Sequence, residues 1–382
     1  MRKISWILAS LVLAAPLSEA CLNDRDSLYA ETHGHTELLK IIVGWFPVHT
    51  DLYYTRRIEL AKKELQKSPQ KWSLYDDIAV AYDRLGKDVN AIEVIEQKRS
   101  RMEAAGLKPK KIAFHQIEGE VSEDQKTAAS QDPWYRYYAN CGTFWAHRWF
   151  HEGMPADKKM AWLDLAQAKI DRAISINEFA HGGREYAQAA VLRWVRMTKK
   201  DKTLGEYLED VESWRLKDFK ALAGLIELGG AWESVDVYEA IAEALTRDMF
   251  YMTSGQFALL RVQELESAGR KSVAGPGPLS NRRPVPPERV KAAYAKIRFG
   301  AEEYRRAYKS YESLHLQSGS HPDIDPRFYE GFVEPPFPTF GKPPNPWNQV
   351  WPIAIPTAVL SSPFIALYIL LKIRKRKVSA AK

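Results

Sequence analysis

The sequence predicts an all-α protein, a body of helical hairpins followed by one C-terminal transmembrane helix. Three observations predict it. Apolar residues recur at three- and four-residue steps through most of 58–265, the spacing that lines one face of a helix. No run of polar/apolar alternation with hairpin punctuation appears, so no strand is needed. Near the end, no charged residue occurs between Lys342 and Lys372, and residues 350–371 would form a helix of about 33 Å, the thickness of a bilayer core.

Composition bounds the answer. With 382 residues, 45% of them hydrophobic and 12% aromatic, the chain can bury a core without disulfides, and full disorder is excluded. A mean hydropathy of −0.39 excludes a polytopic membrane protein. The net charge of +7 would suit a nucleic-acid partner if it lay on the body, but it does not. Arg2 and Lys3 against Glu19, and the six basic residues Lys372, Arg374, Lys375, Arg376, Lys377 and Lys382, leave 21–371 with no net charge. A nucleic-acid surface is not expected.

Taken in order, residues 1–20 read as a signal peptide: basic Arg2 and Lys3, an apolar stretch 4–17, and Ser18 and Ala20 flanking a cleavage site. Cleavage would leave Cys21 first. Leu17 stands four residues before it, one too many for the usual lipidation pattern. Residues 21–267 form the helical domain, with helices expected at 58–65, 74–85, 91–102, 137–150, 160–176, 186–197, 204–228, 235–245 and 255–265. A Pro/Gly linker at 268–287 follows, then a helix at 288–316 opened by Pro287. The proline-rich stretch 317–347, with Pro335-Pro336 and Pro343-Pro344, reads as a semi-extended stalk. The transmembrane helix is expected at 348–371, with Trp347, Trp351 and Tyr368 at interface depth, and the basic tail 372–382 stays inside. The ends together predict an exported, single-pass membrane protein with an extracytoplasmic N-terminal domain and a cytoplasmic tail. A sorting signal cleaved at the surface has the same layout.

One segment carries a repeat pattern. Trp72, Tyr75, Ile78, Ala79, Tyr82, Gly86, Ala91 and Ile95 resemble the tetratricopeptide repeat (TPR), a helix–turn–helix of about 34 residues. Small residues such as Ala79 and Ala91 let the paired helices approach closely. Lys98 departs from the pattern, standing where the family has a small residue. A stretched second copy runs through Tyr138, Cys141, Gly142, Trp145, Ala166, Ile170 and Ala173, with an insertion around Gly153 and Pro155. The layout resembles exported, membrane-anchored bacterial TPR proteins. The resemblance implies a groove lined by the first helices. Its register places Ser73, Asp76, Val80, Asp83 and Arg84 there, joined by Arg136, Ala139, Thr143, Ala146 and His147. The subgroup that clamps a terminal carboxylate uses Lys and Asn where this chain has Asp76 and Val80, so that mode is not expected.

Other constellations are weaker. His33/His35 and His147/His151 have metal-like spacing, but Arg148 stands where a zinc protease would carry Glu. Cys21 and Cys141 could pair in an oxidising compartment, although a small buried Cys141 is the plainer reading. No nucleophile elbow, phosphate loop or dinucleotide fingerprint occurs, so no enzyme and no cofactor are expected. Trp134, Tyr135, Tyr137, Tyr138, Phe144, Trp145, Trp149, Phe150 and Trp162 crowd the second copy. The expected function is a protein–protein interaction scaffold docking a peptide or protein segment. The alternative is a glycan or cell-wall binding module that uses this Trp/Tyr-rich repeat.

Overall fold

A computed structural model describes residues 38–117, 120–153, 160–179, 183–197, 201–215, 218–228, 230–247, 251–274 and 285–338. The chain divides into two units, 1–336 and 337–382, and the helices among the described residues belong to the first. The signal peptide, Cys21, the His33/His35 pair and the expected transmembrane helix with its tail lie outside the described residues. Among those described, no helix is long and apolar enough to cross a membrane.

The first unit is all-α. Its helices are α1 Leu38–Val43, α2 Asp51–Lys67, α3 Trp72–Arg84, α4 Asp88–Ala104, α5 Glu123–Ser130, α6 Pro133–His151 and α7 Met160–Ile176. They continue as α8 Arg184–Val195, α9 Leu204–Asp210, α10 Lys220–Leu228, α11 Val235–Thr246, α12 Met252–Ser267 and α13 Glu288–Gln317. One antiparallel ribbon, β1 Gln116–Ile117 with β2 Glu120–Val121, is the β-structure among the described residues. It is too short to have left an alternating signal.

Local chemistry explains the hairpins. Gly86, at φ +66°, supplies the left-handed residue that turns α3 into α4 at no steric cost. Asp132 caps α6 by accepting the amides of Trp134 and Tyr135 at 3.0 and 2.8 Å, and Pro133 opens the helix with a fixed φ. Ala79 and Ala91 are fully buried between helices. At Gly142 an added β-carbon would lie 2.8 Å from the Ile170 side chain and 2.9 Å from the Ala166 carbonyl. Glycine there is what lets α6 and α7 close to contact.

Neighbouring helices stack in sequence from α2 through α4, α6, α7 and α8, in a solenoid-like manner. The succession then closes. α11 pairs with α12, α12 packs on α13 and α1, and α13 reaches back to α1 and α2. α13 has 30 residues, about 45 Å at helical rise, which is long enough to join the two ends.

Two expectations need correction. The single helix read at 204–228 is two, α9 and α10, because Glu212 leaves the helical path to accept Nε and Nη2 of Arg193, each at 2.8 Å, and the Tyr207 hydroxyl at 2.9 Å. Ser213 takes φ +57° in the same turn. The stretch read as a stalk from 317 is packed on the body as far as Glu334. Phe328, Tyr329 and His321 are buried, Arg57 donates to Asp323 at 2.9 and 3.1 Å, and Trp45 donates to Glu334 at 3.0 Å. Glu312 of α13 anchors this closure. It accepts His49 at 2.6 Å, the Thr50 amide and hydroxyl at 2.7 and 2.9 Å, and the Tyr329 hydroxyl at 2.7 Å. Burial alone would raise its pKa, but His49 and these hydrogen bonds outweigh that and hold it below the usual carboxylate value.

Candidate functional site

Of the register residues, Asp76 meets Arg136 and Asp83 meets His147 across the facing sides of α3 and α6. They do not line an open groove. The Asp76 carboxylate is buried and accepts Lys98 Nζ through both oxygens at 2.8 Å and Asn140 Nδ2 at 3.0 Å. Arg136 Nε lies 3.4 Å away. Two turns along, Asp83 accepts His147 Nδ1 at 2.9 and 3.0 Å. Val80, Ala139, Thr143 and Ala146 are buried, and Thr143 accepts Gln188 of α8 at 3.0 Å. Ser73, Arg84 and His147 are half-buried. The physical reason is coverage: α8 lies over Thr143, and the turn at Gly230 approaches His147, where an added β-carbon would stand 3.7 Å from Nε2.

Sequence reasoning did not place Lys98 or Asn140 in this cluster. The signal for Lys98 was its departure from the repeat, since a lysine on a small-residue position must find an acid or leave the core. Burial lowers the Lys98 pKa to about 8 against the pull of Asp76, and burial raises Asp76 despite Lys98 and Arg136. Both shifts have one cause, the removal of water from the pair.

His151 follows the same pattern, donating Nδ1 to Asp88 at 2.9 and 3.0 Å. That bond raises its pKa. Both histidines of the metal-like pair are thus turned toward aspartates. Among the described residues no group of three or more His, Cys, Asp or Glu side chains is arranged to hold a metal ion. Cys141 is a buried free thiol that donates to Glu96 at 3.5 Å, and burial pushes its pKa to about 12, which makes it a poor nucleophile.

The aromatic stretch divides in two. Trp134, Tyr135, Tyr137, Phe144 and Trp149 are buried and form core, with Tyr135 donating to buried Glu185 at 2.7 Å. Tyr138, Trp145 and Trp162 are half-buried and Phe150 is exposed. The Arg148 guanidinium lies 4.1 Å from the Trp162 ring centroid and 5.5 Å from that of Trp145, and the two indoles are 6.1 Å apart. Leu165, one turn beyond Trp162 on α7, is 41% exposed. This aromatic–arginine surface on the α6–α7 hairpin is partly open to solvent, and a partner can therefore reach it.

One carboxylate elsewhere has a pKa suited to proton transfer. Glu243 of α11 is pushed up to about 7, chiefly by burial and then by Glu239 and Glu206, against the hydrogen bond from Thr203. That hydrogen bond, at 2.9 Å, ties α11 to the cap of α9.

No family model matches the chain, and neither the curated proteins nor the solved structures contain a match.

Proposed function

We propose that this chain is a TPR-like scaffold, exported and held at a membrane by its C-terminal segment, that binds a protein partner on the outer surface of the α6–α7 hairpin. The observation that carries the reading is the Trp145–Arg148–Trp162 cluster. Tryptophan and arginine dominate interface hot spots because they combine large buried area with directed polar contacts. Here two half-buried indoles are braced by a guanidinium that lies beside both, so little side-chain freedom is lost on binding. Arg148 covers a face of Trp162, which favours a protein partner over a sugar ring stacked on that face. Asp76 and Asp83 serve the array as ties between helices, and the partner surface is assigned elsewhere.

The test is affinity capture from solubilised membranes with the full chain as bait, followed by titration of the partner identified. A Trp145→Ala/Trp162→Ala variant should lose at least about tenfold in affinity, as removing a hot-spot pair does. A Val211→Ala variant, at an exposed residue outside this hairpin, should bind normally. Unchanged capture by the double variant would contradict the reading. Loss of cell-wall sedimentation in the same variant, without loss of any protein partner, would turn it toward the glycan alternative.

A further inference from the structure

α9 has seven residues, too few to be stable as a helix on its own, and it packs chiefly on α11. Its two ends are held differently. Beyond its C-terminus, Glu212 accepts Arg193 of α8 through both oxygens at 2.8 Å and the Tyr207 hydroxyl at 2.9 Å. Its first turn is held instead by a carboxyl group of α11. The Thr203 hydroxyl accepts the Glu206 amide at 3.0 Å, while the Glu206 carboxylate accepts the Thr203 amide at 2.9 Å, a reciprocal cap. The same hydroxyl donates to Glu243 at 2.9 Å. The joint is tight: a β-carbon added at Gly205 would fall inside the Glu243 carboxyl group and 3.3 Å from the Ala240 Cα. Glycine at 205 is what lets that carboxyl lie against the backbone of α9.

The charges around Glu243 are mostly of its own sign. Glu206 of α9 converges on the same threonine, and Glu239 stands one turn back on α11, and both raise the Glu243 pKa. The cation that opposes them, Arg247, is itself paired with Glu209 of α9. α11 also packs on α12 and α10, whose charged groups act elsewhere. Arg261 of α12 lies over Trp232 and Tyr238, Glu264 accepts Arg298, Glu266 is exposed, and the charge of Glu227 of α10 is felt at Tyr304. A neutral carboxyl fits this joint without cost. An ionised one is both desolvated and set beside two like charges.

We propose that the α9–α11 joint is an acid-closed latch: with Glu243 protonated α9 is docked, and loss of that proton frees its first turn, so that α9 pivots on the Glu212 tie and uncovers Leu204 and Leu208. Both leucines are buried in the docked form, and their release gives the body an apolar patch at neutral pH that it lacks in acid. The sign follows from linkage. The docked carboxyl keeps its proton up to about 7 and the released one only to about 4.5. Docking therefore weakens as pH rises between those values and stays weaker above them. The Thr203 hydrogen bond and the close approach at Gly205 put this titration at the contact itself. The latch stands apart from the α6–α7 partner surface and does not depend on it.

The experiment is hydrogen–deuterium exchange of the full chain in neutral detergent, read by mass spectrometry from pH 5 to pH 8, with each rate divided by the intrinsic rate at that pH. Protection of peptides covering 203–210 should fall at least about tenfold over this range, within a ceiling of about 300-fold set by a pKa displaced from 4.5 to about 7. Peptides of α7 should keep their protection, since the opening is local. Glu243→Gln keeps an acceptor for Thr203 and should hold the protection of 203–210 constant with pH. Glu239→Gln removes one repelling charge, so the fall should be smaller and end at lower pH, a change that a purely structural role would not produce. Equal melting midpoints of the wild type and each variant in acid will certify the folds. Three results would overturn the latch: protection of 203–210 independent of pH in the wild type, the same fall in Glu243→Gln, or a fall shared equally by α7.

Discussion

Where α3, α4 and α6 meet, a buried carboxylate is surrounded by an ammonium, an amide and a guanidinium within 3.4 Å. Where α12 and α13 meet the turn at Trp232, buried guanidinium groups lie instead against aromatic faces, and their carboxylates stand at the margin. Glu264 there accepts Arg298 at 3.1 and 3.2 Å and Tyr294 at 2.6 Å. Burial would raise its pKa, but these partners pull it down to about 2. The first region neutralises charge in place and is closed to solvent. The second distributes positive charge over rings and borders an open cleft. The first region matches its charge at the centre of the packing, whereas the second matches it at the solvent margin, through Glu264 and Glu302.

The largest expected effect breaks the first region. Lys98→Ala strands the Asp76 carboxylate without its ammonium and should cost about 3–5 kcal/mol in denaturant unfolding. The next sharpens the rule that pairing decides the outcome, using a carboxylate crowded by acids. Because the Glu243 pKa is raised from 4.5 to about 7, the folded chain keeps a proton that the unfolded chain has lost. Stability therefore falls as pH rises from about 4.5 to about 7 and stays lower above that. Glu243→Gln keeps the Thr203 hydrogen bond and should recover up to roughly 3 kcal/mol at pH 8 and nothing below pH 4, which paired unfolding curves will read. Gly142→Ala, which forces a β-carbon against Ile170 and the Ala166 carbonyl, should cost about 1–3 kcal/mol and lower the melting temperature without altering the charge network. The smallest effect lies in the second region. Trp232→Phe keeps a ring but weakens its hold on three cations, a loss of about 0.5–2 kcal/mol that should fade little with added salt because the guanidinium groups are buried.

The small positions of the helical hairpins were legible because they are written in packing. Ala79, Ala91 and Gly142 must be small for helices to touch, and that constraint survives without any partner. The same register brought Asp76 toward Arg136 and Asp83 toward His147. It could not say that the groove face is covered, because the covering elements, α8 and the Gly230 turn, come from far along the chain and carry no repeat signature. The closing segment was hidden for a related reason. Its prolines signal extended chain, and they say nothing about Glu312 and Arg57, more than ten and more than two hundred residues away, which bind Tyr329 and Asp323. The Trp232 cluster was illegible as well: its arginines are spread over α12 and α13, and only the closure of the array brings them to one indole.

The central claim is that the register residues are ties between helices and not an open binding face. A double-mutant cycle on Asp76 and Lys98, measured by denaturant unfolding of Asp76→Asn, Lys98→Met and the pair, tests it most directly. A buried pair predicts a coupling energy of about 2 kcal/mol or more. Additive effects within about 0.5 kcal/mol would mean that both side chains face water, and would restore the open groove.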